Sequence, residues 1–215
     1  TQGIIFLGSG GVVRIHNIDI TSMVIELNIY ESIYNQALTG TVVITDAIDL
    51  ISTLPLTGNE RLAFKFHTPR GQIDASSETG HPFHIFKLTD RQQISEGIQS
   101  YVLHFCSREM LRNMRTRVSS AKNGTLDQIA SLIFQEPEGL DSKKRLTVEP
   151  TRNSDKYTFP NMHPLDAITM LSKKALSTNG QGSGYYFYET TQGYYFRSYE
   201  NMVAISGKLA RPPKE

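Results

Sequence analysis

Apolar and polar side chains alternate along the first third of the chain in three runs, at residues 24–30, 40–45 and 61–66. In the first, Val24, Glu26, Asn28 and Tyr30 share one face and Ile25, Leu27 and Ile29 the other, the period of two that a half-buried strand needs. The second has a β-branched centre, Val42 to Ile44, flanked by threonines. In the third, Leu62, Phe64 and Phe66 alternate with Arg61, Ala63 and Lys65. A sheet buries Ile25, Leu27, Ile29, Leu62, Phe64 and Phe66 together, whereas no helix puts each set on one side. The first connection is polar, with Asn35, Gln36 and Thr39, and the second holds Pro55 and Gly58.

Around this centre the pattern continues. Two short apolar runs, 4–7 and 12–15, are split by Gly-Ser-Gly-Gly, so a hairpin or a flexible leader is expected there, followed by a polar join over 17–22. Residues 46–51 fit a helical turn capped by Asp46 and ended by Pro55. Residues 68–82 are rich in Gly, Pro and Ser and read as a loop. Residues 83–89 and 100–107 alternate again and predict an antiparallel hairpin with a long polar tip. Five or six locally linked strands with little helix indicate an antiparallel barrel or sandwich over residues 1–107.

After residue 107 the period changes. Residues 108–120 are basic, with Leu111, Met114 and Val118 at helical spacing, and predict a short helix or an irregular arm. A clearer helix starts at Thr125, where Thr125 and Gln128 have capping-box spacing and Leu126, Ile129, Ala130 and Ile133 form a stripe. Residues 145–150 fit a short strand. A second helix opens at Met162-His163-Pro164, buries Leu165, Ile168, Leu171, Ser172 and Ala175, and is expected to stop at the glycine-rich stretch 179–184. Residues 185–189 and 193–198 predict an aromatic hairpin about a Thr-Gln-Gly turn. The fold class is thus α+β and β-rich: residues 1–107, then an α+β domain, 108–215, with two helices and the aromatic hairpin. The polar Pro-Pro tail lacks a closing element, so this second domain is expected to be incomplete.

Composition narrows the function. A net charge of +1 over 215 residues gives no field that draws nucleic acid or a membrane surface. An apolar content of 39% is enough for a core. The single cysteine, Cys106, excludes an internal disulfide and a Cys-based zinc cage, and its strand context predicts a buried, inert thiol. No apolar run reaches membrane-spanning length and no leader is evident, so a soluble, cytoplasmically made protein without membrane insertion is expected.

No catalytic, cofactor or metal site is expected. The histidines, His16, His67, His81, His84, His104 and His163, form no metal-binding spacing, and His81 and His84 do not share a strand face. Asp46 and Asp49 read as a capped turn. Arg108, Arg112, Arg115 and Arg117 form a basic cluster, expected to be solvated or protein-facing. Tyr185, Tyr186, Tyr188, Tyr194, Tyr195 and Tyr199 have the look of a stacking platform, although alternating aromatics more often make a good sheet or an oligomer interface.

The order of features resembles the N-terminal part of the central baseplate hub protein of contractile-tailed, T-even-type bacteriophages. Residues 27–34 (LNIYESIY) and 38–46 (LTGTVVITD) carry the resemblance, with Leu56-Thr57-Gly58-Asn59-Glu60 leading into Leu62-Ala63-Phe64. The helix at 125–135, the run FPNMHPL at 159–165 and the aromatic hairpin extend it over residues 20–205. The resemblance implies that residues 1–107 form a tail-tube-like β-barrel. It implies a virion structural protein, assembled in the host cytoplasm, whose partners are itself as a homotrimer, the tail spike protein, and tail tube or other baseplate proteins. DNA would only pass through its channel. Two alternatives stand beside it: a cell-wall hydrolase using Asp46, Asp49 or Glu31 as acid, and a carbohydrate- or nucleic-acid-binding module using the tyrosines or arginines.

Overall fold

The structure is a computed structural model and describes residues 2–5, 11–16, 18–53, 60–68, 71–75, 81–178 and 184–209. The chain divides into two compact units, Thr1–Glu31 with Ala37–Leu111, and Ser32–Gln36 with Arg112–Glu215.

The first unit is one antiparallel sheet. Its strands are β1 (Gln2–Ile5), β2 (Val12–Ile15), β3 (Ile18–Asp19), β4 (Val24–Tyr30), β5 (Thr39–Asp46), β6 (Arg61–Thr68), β7 (Gly71–Ala75), β8 (Phe83–Ser95) and β9 (Ile98–Cys106), with a short helix, α1 (Leu50–Thr53). They pair in the order β1-β4-β5-β9-β8-β6-β2-β3, with β7 also on β6. Alternate residues of β2, β4, β5, β6, β8 and β9, among them Ile15, Leu27, Val42, Ile44, Leu62, Phe64, Phe83, Leu103 and Phe105, form one buried cluster. Strands far apart along the path thus fill a common core, so the sheet bends over its own face. Among the described residues the pairing does not close into a ring, and the barrel expected from the resemblance goes beyond these pairings. Phe83 ties the wall together, stacked on Phe64 at 5.3 Å and edge-on to Phe105 at 5.0 Å.

The three organising runs are strands, with one correction. Ile25 is not in the core: a bulge between Val24 and Glu26 shifts the register, and the side chain is 56% exposed. A second bulge, between Ile85 and Lys87, makes Phe86 the extra residue and turns it outward. The polar tip expected between the last two strands is instead strand: β8 continues to Ser95, and the turn is Glu96-Gly97, with Gly97 at φ 76°. Its side chains are solvated, so no apolar alternation announces it, and backbone pairing with β9 alone makes it a strand. Part of the expected 68–82 loop is likewise β7, paired with β6. The two N-terminal runs do not pair with each other; β1 joins β4 and β2 joins β6, while residues 6–10 lie outside the described residues. The expected helix-ending Pro55 also lies outside them.

The second unit follows α2 (Arg108–Arg115), which lies across the division in sequence. It contains β10 (Ala121–Thr125), α3 (Leu126–Gln135), β11 (Leu146–Val148), β12 (Ser154–Thr158), α4 (Pro164–Lys174), β13 (Tyr185–Thr190), β14 (Gly193–Ser198) and α5 (Tyr199–Leu209). β10 pairs with β12; β13 and β14 form the aromatic hairpin, and β11 joins β14 in parallel. The stripes of α3 and α4 pack with Tyr185, Phe187, Tyr194 and Phe196 in a second core. Thr125 and Gln128 stand at the start of α3 as their spacing predicts, the Gln128 amide oxygen accepting the Thr125 N–H at 3.4 Å.

Three further features differ from expectation. Met114 points to solvent, 66% exposed, while Val118 is buried. Helix α4 ends at Lys174, before the glycines, because Asn153 closes it: its Nδ2 donates to the Lys174 carbonyl at 2.9 Å and its Oδ1 accepts the Leu176 N–H at 3.0 Å. Helix α5 was not expected because the hairpin runs straight into it: Ser198, the last residue of β14, also caps the helix, its hydroxyl accepting the Asn201 N–H at 3.2 Å.

Candidate functional site

Of the three candidate acids, Glu31 lies far from Asp46. Asp46 ends β5 fully buried, accepting the Ile48 N–H at 3.0 Å, the Leu50 N–H at 2.7 Å and the Tyr101 hydroxyl at 3.1 Å. It caps the turn into α1, as its sequence context predicts. Burial, and then the charge of Asp46, push the Tyr101 hydroxyl well above the usual phenol range. Asp49, at φ 52°, accepts a hydrogen bond from Gln99 at 3.2 Å, and Gln99 in turn accepts one from Arg91 at 2.8 Å. These residues line an open depression of about 520 Å³ together with Gln93, Gly97 and Ile98. Glu31 follows β4, and Tyr30 pairs with Thr39, so Asp46 lies seven residues along β5 from that end. At ~3.4 Å per residue that is about 24 Å, against the roughly 5–9.5 Å that a glycosidase pair needs.

The second unit buries carboxylates that sequence reading had passed over. Glu149, just after β11, accepts the Ser198 N–H at 2.7 Å, the Ser198 hydroxyl at 3.1 Å and the Ser177 hydroxyl at 2.9 Å. Beside it, burial first and the Glu149 charge second push the Tyr185 hydroxyl up to about 12. Glu189, on β13, bonds Lys144 at 2.6 Å and the Tyr194 hydroxyl at 3.0 Å. Both groups tether the short strand β11, at its two ends, to the hairpin. The partners that join β11 to the hairpin, Lys144 with Glu189 and Glu149 with Ser198, are 45 and 49 residues apart in sequence, so no local motif marks them.

Asp127, in the first turn of α3, accepts the Thr151 hydroxyl at 2.7 Å and the Thr151 N–H at 3.2 Å. Burial pushes its carboxyl up, but the hydrogen bonds from Thr151 outweigh it and leave the value below the usual carboxylate range. A depressed folded-state value stabilises the fold above the ordinary carboxyl pKa, and that contribution is lost as pH falls through the folded value. Asp127→Asn is therefore expected to lower stability at pH 7 by about 1 kcal/mol and to flatten the acid limb of the stability–pH profile, which urea titrations between pH 7 and pH 2 measure.

The remaining candidates are structural in place. Among the described residues no cluster of His, Cys, Asp and Glu could hold a metal ion. The His163 Nδ1 donates to the Asn113 carbonyl at 2.7 Å, and the Asn113 side chain caps the Leu165 N–H at 2.8 Å. His104 bonds the Thr89 hydroxyl at 2.8 Å. Within the arginine cluster, Arg112 donates to the carbonyls of Pro137 and Gly139 and Arg117 to that of Asn161, so these two are protein-facing. The tyrosines split by strand parity. Tyr185 and Tyr194 point into the core, Tyr188 is covered on the opposite face, where its hydroxyl meets the Met202 sulfur at 3.4 Å, and Tyr199 is 58% exposed. Cys106 is buried, and among the described residues no helix is long and apolar enough to cross a membrane.

No family model matches the chain, and no curated protein matches it in sequence. Solved structures do. The 43 kDa tail protein of prophage MuSo2 from Shewanella oneidensis superposes with a TM-score of 0.57 at 9% identity, covering 87% of this chain and 54% of that one. A tail protein from Neisseria meningitidis gives 0.54 at 13% identity, covering 90% and 52%. An Escherichia coli component of the type VI secretion system, described as similar to the T4 bacteriophage tail proteins gp27 and gp5, gives 0.53 at 14% identity, covering 86% and 48%. The chain spans about half the length of these structures. It has the fold that these tail proteins and the secretion-system component share.

Proposed function

We propose that this chain is a structural component of a phage tail baseplate, a subunit of the trimeric central hub that joins the tail tube to the central spike and lines the DNA channel. The observation that carries the reading is the fold shared with tail proteins across nearly the whole chain. The curled antiparallel sheet of the first unit supports it, and on this reading that sheet is a tube-like barrel. The division of labour follows: residues 1–107 build the ring wall and residues 108–215 form a separate α+β domain. On this reading no catalysis is asked of the chain, and among the candidate acids Asp46 is engaged in capping while Glu31 stands at the far end of β5's partner strand. A near-neutral charge suits a channel that DNA crosses without being held.

The test is assembly of the intact gene product. Light scattering is expected to give a trimer, negative-stain images a ring, and co-expression a complex with the spike protein. A strict monomer that never joins a spike overturns the proposal, as does lysis of peptidoglycan that is lost on changing Asp46, Asp49 or Glu31.

A further inference from the structure

One face of the β13–β14 hairpin, covered by Met202 of α5 at Tyr188, holds a cation that has no counter-ion among the described residues. Its register sets Tyr186 opposite Arg197 and Tyr188 opposite Tyr195 on one face, while Tyr185, Phe187, Tyr194 and Phe196 fill the other and are buried. Arg197 is clamped in place. Its guanidinium lies over the Tyr195 ring at 4.3 Å, and its Nε donates to the Tyr188 hydroxyl at 2.7 Å, with Nη2 on the same oxygen. These contacts use one edge and one face of the guanidinium, and among the described residues the Nη1 side is unspent. Among the described residues Arg197 forms no ion pair. At the rim of the same face, Tyr34 is 72% exposed and meets Tyr186 edge-on at 5.9 Å.

We propose that this face docks a protein segment presenting a carboxylate beside an apolar or aromatic side chain. The carboxylate pairs with the free side of Arg197, and the neighbouring side chain packs on Tyr34 and Tyr186. Three observations favour this occupant. The guanidinium is already held in one orientation, so little rotamer freedom is lost when a planar anion is met. Tyrosine and arginine are the residues in which binding energy concentrates at protein interfaces. A nucleic acid needs a row of cations for its phosphates, and these paired positions supply Arg197 alone. The proposal concerns this face and not the tail assignment, so its failure leaves that assignment standing.

The test is an NMR titration of the 15N-labelled full chain, with the Arg197 Nε–H signal assigned by its loss in Arg197→Lys. The probes are acetyl-Phe-Glu-Leu-amide, its glutamine counterpart, and a single-stranded oligonucleotide. The glutamate peptide is expected to shift the Arg197 signal saturably in the millimolar range. The glutamine peptide should bind roughly tenfold more weakly, and Tyr34→Ala should weaken the glutamate peptide several-fold. Because Tyr34 is exposed, that variant tests the face even where Arg197→Lys unsettles the fold. Equal response to both peptides, no response up to about 10 mM, no loss in Tyr34→Ala, or a stronger response to the oligonucleotide each overturns the proposal.

Discussion

Gly40→Ala is expected to destabilise the first unit by about 3 kcal/mol, although it adds a single methyl group. Gly40 lies in β5, paired on one side with Ile29 of β4 and on the other with Phe105 of β9. An added Cβ would overlap the backbone carbonyl oxygen of Asn28 and the ring of Phe105. The carbonyl belongs to β4, which is itself held between two neighbouring strands. The ring is fully buried and wedged against Phe64 at 5.8 Å and Phe83 at 5.0 Å. Relief therefore requires β5 to move relative to both neighbours, and interiors at crystal-like density resist such shifts. Gly97→Ala is the control. Nothing lies within 4 Å of its added Cβ, and only the positive φ of 76° is strained, at a cost of about 1 kcal/mol. Thermal and urea unfolding of the two variants measure the difference; a loss in Gly40→Ala no larger than in Gly97→Ala would show that the strands slide apart freely.

Lys144→Met should cost about 3–5 kcal/mol, because it removes the cation paired with a carboxylate buried in the second unit. The Glu189 side chain is 1% exposed and that of Lys144 11%, and the pair is 2.6 Å apart. The Tyr194 hydroxyl, donating to Glu189 at 3.0 Å, remains as a neutral partner but brings no charge. The companion Lys144→Met/Glu189→Gln variant removes the buried charge altogether and is expected to recover a large part of the loss. Chemical denaturation of the single and double variants closes a mutant cycle. Equal destabilisation of Lys144→Met and the double variant would mean that Lys144 acts through packing over Tyr194 and not through its charge.

Strands with one apolar face were legible in the sequence because burial itself writes the alternation. Leu27, Ile29, Leu62, Phe64 and Phe66 are core residues as their spacing predicts, and so are Leu165, Ile168 and Leu171 of α4. What the pattern hid has a physical explanation in each case. Ile25 follows the alternation but sits at a bulge, which depends on how β4 and β5 pair and not on β4 alone. The distal half of β8 is exposed on both faces, so only its partner strand identifies it. The stop of α4 comes from Asn153, over twenty residues upstream. Glu149 and Glu189 carry no sequence signal of their own, and tertiary partners reveal them as buried anchors. The candidate acids were legible as residues but not as an arrangement, since the antiparallel register that separates Glu31 from Asp46 exists only in the folded sheet.

The five residues Ser32–Gln36 sit between β4 and β5, yet they belong to the second unit, where Tyr34 meets Tyr186 and the Gln36 amide donates to Thr169 Oγ1 at 3.2 Å. The polypeptide therefore visits the second unit, returns to complete the first, and only then builds the rest of the second. No single cut yields two whole pieces. A fragment starting at Arg112 loses a tyrosine and a glutamine that its own surface was shaped around, so dissecting this protein calls for grafting that short visitor onto the fragment as well as choosing a boundary.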